Sequence, residues 1–233
     1  MVKFSSKLLE LPCFADNISV AKKMQLIEES DWNDINVVYT FYCFLKNKIL
    51  DQGEIPNCIH GLIYKLLMKS QQVEILELLN KDFCNGLLQD NNTQFHQYYI
   101  ELQNLLLHDS FLEADKLTSR MLCLMANVKV RNWLYFSDIS NITPKELEML
   151  DNLWKIYSKG KFGFSIQRQI WLNNNQNWDV LWQKLGWQKN NVLCRYPEEF
   201  IWTLLAPTGH LPLSNQLRGV QTLKALFNLK IWK

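Results

Sequence analysis

Apolar positions along this chain recur at helical spacing, and no stretch alternates cleanly as a half-buried strand would. The first third predicts short helices over Ser19–Glu29, Asn33–Leu50, Pro56–Lys69 and Gln72–Leu79. Ile59, Leu62, Ile63, Leu66 and Leu67 form one apolar stripe, while Gly53 and the Lys69-Ser70 step break the pattern. The run Gly86 to Thr93 is polar and turn-rich, which places a boundary near residue 90. Beyond it comes a helical hairpin with Leu102, Leu105 and Leu106 on one arm and Leu117, Met121, Leu124 and Met125 on the other. His108-Asp109-Ser110 makes its turn. Thr143-Pro144-Lys145-Glu146 starts the next helix, because Thr can cap, Pro suits the first helical position and Glu can close the capping box. That helix carries Leu147, Leu150, Trp154 and Tyr157 to about Ser158, and Gly160 suits the left-handed turn after it. Two further helices follow, over Phe164–Leu172 and Asn177–Leu185. Then comes an irregular stretch, 187–214, and a last helix over Asn215–Leu229. The pattern implies an all-α protein with a small helical bundle over 1–90 and a second helical domain over 91–233.

Composition adds an asymmetry. Nine Trp are present, and of these only Trp32 precedes residue 130. Their helical placement, as in Trp154, Trp171 and Trp182, makes them core rather than binding surface. Charge adds little: 25 basic against 23 acidic residues leave +2, so no global field points to nucleic acid. The six Cys include no Cys-x-x-Cys pair, which reads as buried reduced thiols rather than a disulfide or zinc scaffold. No apolar run reaches the ~18 residues of a transmembrane helix, while peripheral membrane contact stays open. The first residues fit neither a signal peptide nor a transit peptide, so the chain is expected to work where it is made. Abundant Asn, Lys and Ile suit an AT-rich genome such as a plastid's.

Catalytic chemistry finds no foothold. His60, His96, His108 and His210 stand alone, and His210 in the long loop is expected to make a loop hydrogen bond. No phosphate-binding glycine loop or nucleophile elbow occurs, and no acid–base set is visible, so the chain is not expected to be an enzyme. In Lys159 to Trp171, Phe162-Gly163-Phe164 sets two rings around a residue without a side chain. Gly163 there permits close backbone approach, which on periodicity alone is a packing corner.

Several longer motifs occur in a fixed order: Arg131-Asn-Trp-Leu-Tyr-Phe136, Asp151-Asn-Leu-Trp154, Tyr157 to Arg168, Leu185-Gly-Trp187, Ala206-Pro-Thr-Gly-His-Leu-Pro212 and Asn215-Gln-Leu-Arg-Gly219. Together with the hairpin Phe111-Leu-Glu-Ala-Asp115, this resembles the "genomes uncoupled" tetrapyrrole-binding family, the porphyrin-binding regulators of magnesium chelatase found in cyanobacteria and plastids. The resemblance covers about 95–233; the first 90 residues match only in being helical.

The resemblance implies an all-helical cupped hand whose concave face takes protoporphyrin IX or Mg-protoporphyrin IX. It implies a partner, the large porphyrin-binding subunit of magnesium chelatase, whose reaction the chain stimulates without catalysing it. It implies a plastid location, with a cyanobacterial cytoplasm as the alternative. By motif, the floor falls to Phe111, Val128 and Phe136, the rim to Asn215 and Arg218, and a mobile wall to Tyr196 and Leu211. Gln221 stands where cyanobacterial relatives often carry a second Arg, which weakens a two-cation clamp. A porphyrin is a flat apolar disc with two propionates on one edge, so it needs an apolar floor and a cationic rim. Removing ~300 Å² of apolar surface from water at about 25 cal/mol/Å² gives roughly 7–8 kcal/mol. Association costs of about 4 kcal/mol or more leave the rim contacts to supply the rest. The bland reading makes Phe111 and Phe136 ordinary core and Arg218 a surface ion pair. The rival function is a helical protein–protein interaction module that binds no porphyrin.

Overall fold

The computed structural model describes residues 11–15, 17–88, 93–213 and 220–232. The chain divides into two compact units, Met1–Asp90 and Asn91–Lys233.

In the first unit, α1 (Val20–Glu28), α2 (Ile35–Lys46), α3 (Cys58–Lys69) and α4 (Val73–Asp82) pack around Ile27, Val38, Phe41, Leu45, Ile63, Leu67, Ile75 and Leu79. Local chemistry sets the helix starts. Ser19 accepts from the Lys22 amide, Asp34 from the Asn36 amide, and Asn57 forms a capping box with His60. The expected single helix Asn33–Leu50 is instead α2 followed by a π turn, Asn47–Asp51. Tyr42 and Lys46 both donate to Asp82, at 2.6 and 2.7 Å, and so tie α2 to the end of α4.

The second unit opens with the hairpin α5 (His96–Leu107) and α6 (Phe111–Met125), turned at Asp109, which takes a left-handed φ of 58°. A 3-10 turn, Phe136–Asn141, leads into α7 (Pro144–Tyr157), capped by Thr143 with Glu146 closing back on its hydroxyl at 2.7 Å. Then follow α8 (Phe164–Asn173), α9 (Trp178–Leu185) and α10 (Gln221–Phe227). Gly186 ends α9 at φ 70°, as the pattern predicts. The described residues include one sheet, an antiparallel hairpin of β1 (Gln188–Lys189) and β2 (Val192–Leu193), within the stretch read from sequence as irregular. Two-residue strands are too short to alternate visibly. The signal was the Asn190-Asn191 turn, where both residues take positive φ.

Of the late Trp residues, Trp154, Trp171, Trp182 and Trp187 are buried, while Trp133, Trp178, Trp202 and Trp232 are half-buried. Trp171, Trp178, Trp182 and Trp187 form a ladder with ring centroids 4.9, 5.5 and 5.3 Å apart, and Phe227 of α10 closes it 5.5 Å from Trp171. Trp154 is fully buried and donates to Thr118 at 3.0 Å across α7 and α6. All six Cys are free thiols, but Cys84 is exposed, unlike the buried setting expected of it. No helix among the described residues is long and apolar enough to cross a membrane.

Candidate functional site

The residues expected at a porphyrin site fall into three environments. Phe111 begins α6 and is 1% exposed, lying 5.6 Å from Phe162 edge-on and 6.2 Å from Trp154 nearly parallel. It supports the unit from within, and in this conformation it offers no ring face to a ligand. Leu211 is likewise fully buried. Val128 is half-buried in the turn that closes α6, its amide bonded to the Cys123 carbonyl at 2.8 Å. Phe136 stands 59% exposed at the start of the 3-10 turn. Tyr196 is half-buried. Asn215 and Arg218 lie outside the described residues.

The exposed apolar surface on the Val128 side is wider than the motifs indicated. Val130 is 99% and Tyr135 52% exposed. Arg131 braces this loop. Its guanidinium lies 4.8 Å from the Trp133 ring and 4.5 Å from the Tyr135 ring, donates to Asp138 at 2.7 Å and to the Trp133 carbonyl at 2.5 Å. Asp138 also accepts from the Tyr135 amide at 2.6 Å. Exposed Tyr135 and half-buried Trp133 are therefore held by an ionic frame. The 3-10 turn itself packs on α10, and Thr222 donates to the Leu134 carbonyl at 3.4 Å. That packing sets the N-terminal end of α10 against the turn that begins at Phe136.

The long stretch after α9 is anchored at one end and exposed in the middle. Gly209 sits in a left-handed conformation (φ 78°) with its amide on the Lys161 carbonyl at 2.8 Å. A Cβ there would meet Leu185 at 2.7 Å and Ile170 at 2.9 Å, so only Gly fits. Gln167, fully buried, donates to the Gly209 and Pro212 carbonyls at 3.0 and 2.7 Å. The Gly163 amide donates to Leu211, and the Trp187 indole to His210 at 2.7 Å. Gly163 is the packing corner the sequence suggested: a Cβ would lie 2.8 Å from the buried Asp151 carboxylate, which also accepts from the Ser165 amide. His210 is a loop linchpin, as expected. Nδ1 contacts the Leu185 carbonyl at 2.5 Å and Nε2 accepts from the Ile201 amide at 3.0 Å. Burial lowers its pKa and so favours the neutral ring these bonds need. Between these anchors, Leu205 is 89% and Ile201 38% exposed. The motif Ala206 to Pro212 is thus a structural knot that presents the apolar residues before it.

One buried acid escaped the sequence reading. Asp115 of α6 is 2% exposed; it accepts from the Leu213 amide at 2.6 Å and is hydrogen-bonded by Tyr196. Desolvation pushes its carboxyl up to about 7, against the opposing pull of those two donors. The signal was present: Asp115 falls on the buried stripe of Phe111, Ala114, Thr118 and Leu122. A separate groove of about 430 Å³ runs along α5, lined by Gln97, Glu101, Asn104, Leu105 and His108. Ile100 and Ser110 complete its lining, which comes from α5 and the turn after it alone and so offers a flat disc only one wall.

Comparison with known proteins decides the family. Residues 92–230 match the family described as GUN4-like. The chain belongs to the GUN4-like family. It is 45% identical over 217 residues to the ycf53 protein of Porphyra purpurea, covering 92% of this chain and 90% of that one. It is 36% identical to the Ycf53-like protein of Synechocystis, over 77% of each chain. The chloroplastic tetrapyrrole-binding protein of Arabidopsis thaliana is 39% identical over 139 residues, 54% of this chain and 52% of that one. Among solved structures, GUN4 from Chlamydomonas reinhardtii matches with TM-score 0.55 and 33% identity, over 63% of this chain and 94% of that one. The ligand-free Arabidopsis thaliana GUN4 matches with TM-score 0.54 and 34% identity, over 63% and 99%. The all-helical character expected from periodicity agrees with these likenesses.

Proposed function

We propose that this protein binds protoporphyrin IX or Mg-protoporphyrin IX and stimulates magnesium chelatase as a non-catalytic regulator in a plastid. Its partner is then the large porphyrin-binding subunit of that enzyme. The observation that carries this reading is the GUN4-like match over 92–230 combined with 39% identity to a tetrapyrrole-binding protein. The chloroplastic relative supports the location.

The physical chemistry agrees. Phe136, Tyr135, Val128 and Val130 offer apolar area beside α10, and Ile201 and Leu205 offer more on the long loop. A porphyrin laid on such a surface gains from area burial, and its propionates need a cation at the edge. Arg218, just before α10, is the residue we assign to that cation, with Asn215 beside it. Tyr196 becomes a wall residue that acts through its hydroxyl, while Phe111 and Leu211 support the surface from beneath.

The test is reconstitution. Purified chelatase subunits are assayed for magnesium insertion with and without the full chain at limiting porphyrin. Stimulation with wild type, little with Arg218→Ala, and no turnover by the chain alone is the expected result. Equal rates with and without the chain would remove the regulatory reading.

A further inference from the structure

Residue 115 is an unusual place for an acid. It lies on the buried stripe of α6, between Phe111 and Thr118, where every neighbour on the stripe is apolar or a hydroxyl. Its two partners have a common property. Tyr196 and Leu213 bracket the segment 196–213, whose middle exposes Ile201 and Leu205. One carboxyl therefore holds both ends of that segment against one helix.

We propose, on the porphyrin-binding reading above, that Asp115 is a positioning residue that latches this apolar wall to α6 and releases it on ionisation. The neutral acid is well satisfied in place. The Leu213 amide and Tyr196 both hydrogen-bond it; these bonds favour the carboxylate, but burial outweighs them and favours the neutral acid in place. Tyr196 keeps its proton throughout, because burial and the neighbouring acid push its pKa to about 12. The carboxylate is served less well. It keeps two donors but loses water, and a buried charge needs more than that. Ionisation thus favours arrangements in which the Tyr196 or Leu213 end lifts and water reaches the carboxylate.

The surrounding charges leave this balance to Asp115. Among the described residues, Lys116 acts on it from its own helix, Tyr196 faces it from the long loop, and Glu113 acts on Tyr196. His210 and Lys161 are further titratable anchors of the segment: His210 bonds Leu185 and Ile201 and loosens in the opposite pH direction, and the Lys161 ammonium donates to the Leu204 carbonyl at 2.7 Å. The remaining anchors, Gln167, Gly163 and Trp187, do not titrate.

The experiment uses two readouts on the full-length protein between about pH 6 and 8.5, a window spanning the acid's own titration. The first is amide hydrogen exchange across 196–213, corrected for intrinsic exchange and measured without porphyrin. The second is the dissociation rate of protoporphyrin IX from its Soret band. In wild type, both are expected to accelerate with a midpoint near 7, dissociation by about tenfold if ionisation costs the latch one pKa unit's worth of free energy. Asp115→Asn should stay slow and flat across the range. Tyr196→Phe removes a contact that lowers the acid's pKa, so its midpoint should move upward. An exchange profile that is the same in wild type and Asp115→Asn overturns the latch. Should Asp115→Asn not fold, an unmoved midpoint in Tyr196→Phe does so. If porphyrin fails to bind at any pH, the binding reading falls, while the exchange arm still decides the latch.

Discussion

Phe111 and Phe136 show how one residue type divides between two jobs. Both come from motifs of the same family resemblance, yet one is 1% and the other 59% exposed. Phe111→Ala empties a site walled by Trp154 and Phe162, at a cost of about 3–5 kcal/mol in stability. Phe136→Ala should leave the melting temperature within a degree or two, since surface truncations cost within roughly 0.5 kcal/mol, and should weaken porphyrin binding several-fold. Denaturant unfolding and porphyrin titration of the two variants check the split. A residue-scale pH dependence arises from His210 and Asp115, with opposite signs. His210 has its folded pKa lowered from 6.5, so its contribution is present above about 6.5 and fades as pH falls through the lowered value. Asp115 is raised from 3.8 to about 7, so its contribution is full below about 4 and lost as pH rises through 7. Thermal melts from pH 4 to 8.5 should therefore show wild type losing stability between about pH 4 and 7 relative to Asp115→Asn, with the two running parallel above about 7. Parallel slopes for the two proteins between about pH 4 and 7 would count against this assignment.

At the scale of elements, α10 shows what the pattern could and could not reveal. The helix itself was legible from Leu223, Leu226 and Phe227; the described helix spans Gln221–Phe227, and the expected start at Asn215 lies outside the described residues. Its fixation depends on a residue distant in sequence. Arg168 of α8 donates to the Phe227 carbonyl at 2.7 Å and to the Trp232 carbonyl at 3.2 Å, satisfying the last turn of α10 and the 3-10 turn Lys230–Trp232 after it. Arg168→Met keeps much of the stem and removes these bonds. It should cost about 1.5–3 kcal/mol and raise hydrogen exchange in 221–232. The helices of the hairpin, α7 and α9 were readable because caps and stripes are local. The long loop was not, because its order comes from contacts more than 40 residues apart, such as Gln167 with Gly209 and Lys161 with Leu204. The burial of Asp115 was readable from its stripe on α6, but its partner Leu213, 98 residues away, was not.

On the scale of the whole molecule, the Trp-rich half is also the half that carries the family match. Its rings stiffen α8, α9 and α10 from inside, while Phe136 and Tyr135 before α7 and Ile201 and Leu205 on the long loop stay exposed. On the proposed porphyrin-binding reading, a porphyrin bound in this half would quench its Trp fluorescence. The interaction-module alternative predicts no such effect. The most direct measurement is a titration of the full chain with protoporphyrin IX, monitoring Trp fluorescence and the Soret band together. The account predicts a saturable, one-to-one quench with a matching Soret shift at micromolar protein, weakened by Phe136→Ala and by Arg218→Ala. A linear, unsaturable response identical in wild type and both variants would contradict it.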